Sequence, residues 1–208
     1  MIIVYDLDGT LVDSRLALLG AHDAAWAGVG LERPSEHAIL SLIGLPLRDI
    51  FVELAPEQDP TPLVEGYKAA YRAAAETHER LFDGIEALLA RDHRAAVATG
   101  KGQLGAEATV ARHGLTERFE VVLGGDAVPR PKPHPDLLEA IRERTGCDDL
   151  LMIGDTVFDL QMARAAGVPS IGVGWGHHRS ERLAPFGPVA ESVAELDELV
   201  QAQVAASR

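Results

Sequence analysis

Two carboxylates two residues apart, Asp6 and Asp8, follow the apolar start of the chain and can leave a strand on the same side. One acid of such a pair can act as a nucleophile when a metal and a cation hold it ionised. The other can give a proton to a leaving oxygen and later take one from water. Gly9 permits the sharp turn that lets backbone approach a phosphate, which makes Gly9 and Thr10 candidate substrate contacts. A bare Asp-x-Asp is also what a polar turn capping a strand looks like. A second acid pair, Asp155 and Asp159, closes the apolar run 150–153. Hard oxygen ligands of this kind suit magnesium. Asp159 sits at a helix start and could instead, or as well, serve the helix N-terminus, whereas an uncompensated Asp155 at the end of a buried strand is costly. Thr99 and Gly100 offer a hydroxyl and free backbone donors to a phosphate oxygen. Lys132 stands between Pro131 and Pro133 on stiff backbone. It is either a solvated loop lysine or a point charge that neutralises Asp6 and an incoming phosphate.

The elements that must position these residues are legible as periodicity. Short apolar runs at 2–7, 95–98, 121–123, 150–153 and 171–173 read as buried strands. Helical spacing appears between the later ones, in Ile85, Leu88 and Leu89 and in Leu137, Leu138 and Ile141. Strands alternating with helices predict an α/β, Rossmann-like parallel sheet covered on both faces. The stretch 14–81 differs: no strand is evident, helical segments fall near 16–29, 35–43 and 62–78, and Pro34, Pro46, Pro56, Pro60 and Pro62 punctuate them. Residues 1–13 and 81–208 are therefore expected to form a core domain and residues 14–80 a small α-helical cap inserted after the first strand. Open α/β sheets bind ligands at the carboxyl ends of their strands, where Asp6, Asp8, Thr99 and Asp155 would converge beneath that cap.

Asp and Glu outnumber Lys and Arg by 32 to 19, a formal net charge of −13. Such a surface repels nucleic acid and anionic membrane, so neither is expected as a partner, and a phosphate site needs its own local positive charge. The single cysteine, Cys147, excludes an intramolecular disulfide. The N-terminus lacks a signal-peptide pattern, no run approaches a membrane span, and a cytoplasmic location is expected.

Taken together the segments DLDGTLVDS at 6–14, VATGK at 97–101, RPKPHP at 130–135 and MIGDTVFD at 152–159 resemble, in order and interval, the haloacid dehalogenase superfamily of aspartate-nucleophile phosphatases. The resemblance spans nearly the whole chain. It implies Asp6 as the nucleophile that forms an aspartyl-phosphate, Asp8 as general acid and base, Thr99 as a phosphoryl contact and Lys132 as the charge that steadies it. It further implies a magnesium ion held by Asp6, the backbone carbonyl of Asp8 and Asp155, with Asp159 as ligand or support. Gly100 departs from the small residue this subgroup often carries before the lysine.

The helical insertion resembles the cap of the phosphoglycolate phosphatase-like subgroup, which implies a magnesium-dependent phosphatase acting on a small phosphorylated metabolite such as a phosphoglycolate-like compound or a sugar phosphate. A small closing cap is expected to leave little room. Within the cap Arg48 is either a specificity contact or a solvated helix-start arginine, and Tyr67, Lys68, Tyr71 and Arg72 read as packing and surface. His177 and His178 are expected to line the mouth of the site, with His177 the candidate contact. A β-phosphoglucomutase-like mutase is the rival enzyme. Leu18 and Ile43 stand where that resemblance would require a cap histidine and a cap lysine, and both absences favour hydrolysis. Asp8 is retained where dehalogenases lack an acid. A non-catalytic binding protein is a further alternative, and a monomer or homodimer is expected.

Overall fold

The computed structural model describes residues 1–206. Six parallel strands form the main sheet: β1 (Ile2–Tyr5), β4 (Arg94–Ala98), β5 (Val121–Leu123), β6 (Leu150–Gly154), β7 (Ser170–Val173) and β8 (Val189–Ala190). Their spatial order is β5-β4-β1-β6-β7-β8. The continuous apolar runs of the sequence follow from burial on both faces. Along β1, Ile3 and Tyr5 enter one core layer while Ile2 and Val4 enter the other, and Leu151 and Ile153 part in the same way from Leu150 and Met152 on β6. Side chains alternate across a strand, so each central strand must be apolar at every position. Helices α5 (Ile85–Leu89), α6 (Gln103–Arg112), α7 (Asp136–Thr145), α8 (Val157–Ala165), α9 (Ser180–Leu183) and α10 (Val193–Ala206) complete this α/β, Rossmann-like unit.

Between β1 and α5 lie α1 (Arg15–Gly28), α2 (Glu36–Leu40), α3 (Leu47–Leu54) and α4 (Pro60–His78). They carry an apolar core of their own around Leu18, Trp26, Ile39, Phe51, Leu63 and Tyr67. Phe51 meets Trp26 and Tyr67 edge-on at 5.8 and 6.1 Å, the favoured geometry for aromatic pairs. Two features differ from the sequence expectation. The helix near 35–43 stops at Leu40, and the Ile43–Leu45 turn leads into α3, which the run of prolines concealed. A two-residue antiparallel ribbon, β2 (Val12–Asp13) with β3 (Arg80–Leu81), ties the entry of the helical insertion to its exit. Among the described residues no helix is long and apolar enough to cross a membrane.

Candidate active site

The strand order brings four carboxyl ends side by side, and the chemistry gathers there. Asp6 follows β1 directly, and Lys132, arriving from the proline-rich loop, reaches it with Nζ 2.8 Å from Oδ1. Lys132 also donates to Asp159 Oδ1. Asp159 is the third residue of α8 and completes its capping box: its Oδ2 accepts from the N–H and the hydroxyl of Thr156 at 3.0 and 2.7 Å. Both readings of Asp159 thus meet in one side chain, which caps a helix and anchors the lysine. Asp155, just past the end of the neighbouring strand β6, accepts from Thr10 Oγ1 at 3.0 Å and from the His177 N–H at 2.7 Å, with His177 Nδ1 at 2.8 Å. Carboxylate oxygens of Asp6, Asp155 and Asp159 all lie within 4.8 Å of one another, and all three residues are buried.

A cavity of about 470 Å³ opens over this edge. Asp6, Asp8, Thr99 and Gly100 line its floor, and Leu18, Ile43, Leu45, Leu47 and Ile50 of the cap face them. Thr99 Oγ1 accepts the Lys101 N–H at 3.2 Å, which leaves its proton available to a ligand oxygen. Gly100 has a steric reason to lack a side chain: a Cβ there would come within 2.4 Å of the Gly44 carbonyl oxygen in the cap turn.

A haloacid dehalogenase-like hydrolase family model matches residues 3–173. This chain belongs to that family. The hydrolase is 35% identical to a probable phosphatase, IndB, of Dickeya dadantii, over 90% of this chain and 86% of the relative. It is 31% identical to a phosphoglycolate phosphatase of Vibrio parahaemolyticus, over 96% and 95%. A predicted phosphatase from Clostridium acetobutylicum superposes with a TM-score of 0.86 at 26% identity, covering 96% of this chain and 97% of that one.

The electrostatics of the hydrolase's site suit a bound cation. Burial, with Lys132 opposing it and Asp159 and Asp155 adding to it, pushes the Asp6 carboxyl up to about 7. Burial works against the charged form of Lys132, but Asp159 and Asp6 outweigh it and hold the ammonium charged. Burial likewise opposes ionisation of Asp155, yet His177 and Thr10 hold its carboxyl below the usual range. Three clustered buried acids, two of them sharing one lysine and all hard oxygen donors, fit a divalent cation such as magnesium.

Several expected contacts fall elsewhere. Arg48 is exposed on α3 and lies outside the cavity lining, whereas its neighbour Leu47 lines it. Gly9 and Thr10 do not reach the cavity; they serve the acid behind it. Gly9, at φ +87°, leaves space that a Cβ would fill within 2.3 Å of Asp155 Oδ2, and Thr10 is fully buried against Asp155. His177 is spent on Asp155 rather than on the mouth of the site. His178 accepts the Val157 N–H and pairs through Nε2 with Ser41 O of the cap at 3.1 Å, which ties cap to core. Tyr67, Lys68, Tyr71 and Arg72, read as packing and surface, all line the cavity.

Sequence reasoning missed a buried network beside Asp8. Lys101 Nζ lies 3.2 Å from Asp8 Oδ1 and donates to Tyr71 Oη at 2.8 Å, Glu79 Oε1 at 3.1 Å and Thr109 Oγ1 at 3.1 Å. Tyr71 donates to Glu79, and Arg112 pairs with the same acid. Lys101 was visible as the last residue of its motif, but nothing marked Glu79, a lone acid just past the end of α4.

Proposed function

We propose that this hydrolase is a magnesium-dependent phosphatase that cleaves a phosphate monoester of a small molecule through an aspartyl-phosphate on Asp6. The observation that carries the reading is the placement of the Asp6 carboxylate: Lys132 pins one of its oxygens, two further buried acids stand beside it, and it borders a cavity shared with Asp8 and Thr99.

Asp6 attacks phosphorus, and the bond from phosphorus to the ester oxygen breaks. Asp8 gives its proton to that leaving oxygen, then takes one from the water that attacks the phospho-Asp6 and frees inorganic phosphate. Lys132 and the Thr99 hydroxyl face the charge that spreads over the phosphoryl oxygens, which is most of what such a transfer asks of a protein. Asp6, Asp155 and the carbonyl of Asp8, with Asp159 in support, would hold a magnesium ion, which would supply further positive charge for those oxygens.

Leu18 and Ile43 border the cavity as hydrocarbon, which supports hydrolysis over a mutase reaction because neither can move a proton. Retention of all four acids weighs against a purely binding role. The test is release of p-nitrophenol from its phosphate ester with and without magnesium, in the native protein and in Asp6→Asn. Magnesium-dependent turnover absent from the variant, with a beryllofluoride adduct on Asp6, is the expected result; an adduct on any other residue would overturn the reading.

A further inference from the structure

The wall that the cap presents to Asp6 is poor in groups that could bind a polyhydroxylated substrate. Leu18, Ile43, Leu45, Leu47 and Ile50 face the cavity, and the whole lining holds no serine, asparagine, glutamine, glutamate or histidine. The hydroxyls of Tyr71 and Thr109 are committed to Glu79 and Lys101, and Asp126 accepts the Gln103 N–H. Beyond the Tyr67 hydroxyl and the cations of α4, sugar hydroxyls entering here would meet hydrocarbon, a cost of about 1–3 kcal/mol for each unmet group. The volume, about 470 Å³, also falls within the range that encloses drug-sized ligands, and a two-carbon phospho acid would leave most of the apolar wall uncovered.

A second asymmetry lies in the cations. Lys101 and Arg112 are paired with Asp8 and Glu79. Lys68 and Arg72, one turn apart on α4, border the same cavity, are exposed and form no ion pair among the described residues. In a chain of net charge −13, two unpaired cations at one cavity form a local positive site for an anion.

Resting on the phosphatase reading above, we infer that the substrate is the phosphate ester of an apolar alcohol, aromatic or branched aliphatic, that carries a second anionic group bound by Lys68 and Arg72. The apolar body lies on the cap wall while the ester phosphate meets Asp6.

The test compares kcat/KM, with magnesium present, for phenyl phosphate, 4-carboxyphenyl phosphate, phosphoglycolate and glucose 6-phosphate. Phenyl phosphate should exceed glucose 6-phosphate, and the added carboxylate should raise kcat/KM over phenyl phosphate by about tenfold, the gain of one well-placed charge contact. In Lys68→Ala/Arg72→Ala the carboxyphenyl-to-phenyl ratio should fall to about one. A ratio near one in the native protein, a ratio that survives the double substitution, or a preference for glucose 6-phosphate or phosphoglycolate overturns the inference. Calorimetric binding of the two aryl esters to Asp6→Asn reads the same ratio without turnover. Binding that keeps the ratio while the native protein hydrolyses nothing would sink the phosphatase reading and leave this one standing; turnover without the ratio would do the reverse.

Discussion

At the carboxyl edge of the sheet, every acid that could meet phosphorus or metal is buried and held. Asp6 and Asp159 share Lys132, and Asp155 is gripped by Thr10 and His177. Across the cavity the cap is built on other terms. Its core mixes aromatic with aliphatic side chains, and it tolerates polar atoms that find no partner: both ring nitrogens of His22 and the indole N–H of Trp26 are buried without a hydrogen bond. The sheet edge must fix a few atoms in one geometry, because phosphoryl transfer depends on position and charge. The cap needs only to cover and to sort, which shape and apolar area can do.

The largest effect should come from the sheet edge. Asp6→Asn should lower kcat by at least about a thousandfold, as loss of a covalent nucleophile does. The melting temperature of the metal-free protein should not fall, because one of three crowded carboxylates loses its charge. Lys132→Met should lower turnover and also cost about 3–5 kcal/mol in urea unfolding, since it leaves two buried carboxylates without their cation. A variant that melts like the native protein would mean the edge is less tightly coupled than its distances imply.

His22 tests the cap. Burial, with Arg33 adding to it, lowers its imidazole from the ordinary 6.5 to about 4, so the fold favours the neutral ring. The unfolded chain takes up a proton near pH 6.5 and the folded one only near 4. Stability from this group is therefore full above pH 6.5 and is lost as pH falls towards 4, by about 3 kcal/mol at the limit. His22→Leu should remove that slope, seen as a smaller stability loss between pH 6.5 and 4 than in the native protein. Equal slopes in the two proteins would refute it. The smallest effect is expected where the two regions touch. Gly100→Ala would push the Gly44 turn away and should lower kcat/KM by about tenfold through misplacement of the cap, and because the clash is with backbone it should also cost about 1–3 kcal/mol of stability.

The sheet residues of the site were legible because catalysis restricts residue types at strand ends. An acid and a hydroxyl that each close an apolar run, followed by a lysine between prolines, leave few other readings. Thr10 and His177 were legible only as neighbours of the site. Their partner is Asp155, which lies 145 positions from one and 22 from the other, and a contact between distant segments leaves no local trace. The cap was legible as helices but not as a binding wall. Tyr67, Lys68, Tyr71 and Arg72 have the spacing of any amphipathic surface, and which side of α4 faces the cavity depends on how the helix packs against α1 and α3. Arg48 was open between substrate contact and solvated helix start for the same reason, and α3 settles its place by turning Leu47 towards the cavity and leaving the arginine in solvent.

The order of strands and helices, the acids at the strand ends and the presence of a helical insertion were written in the chain itself. Each rests on local rules of periodicity, turn chemistry and residue type that act within a few positions. What lies across from Asp6, which cations stay unpaired, and why position 100 must be glycine were decided by folding. Those facts depend on surfaces meeting across gaps of tens of residues, where burial and close contact rather than sequence spacing determine which side chain faces the substrate.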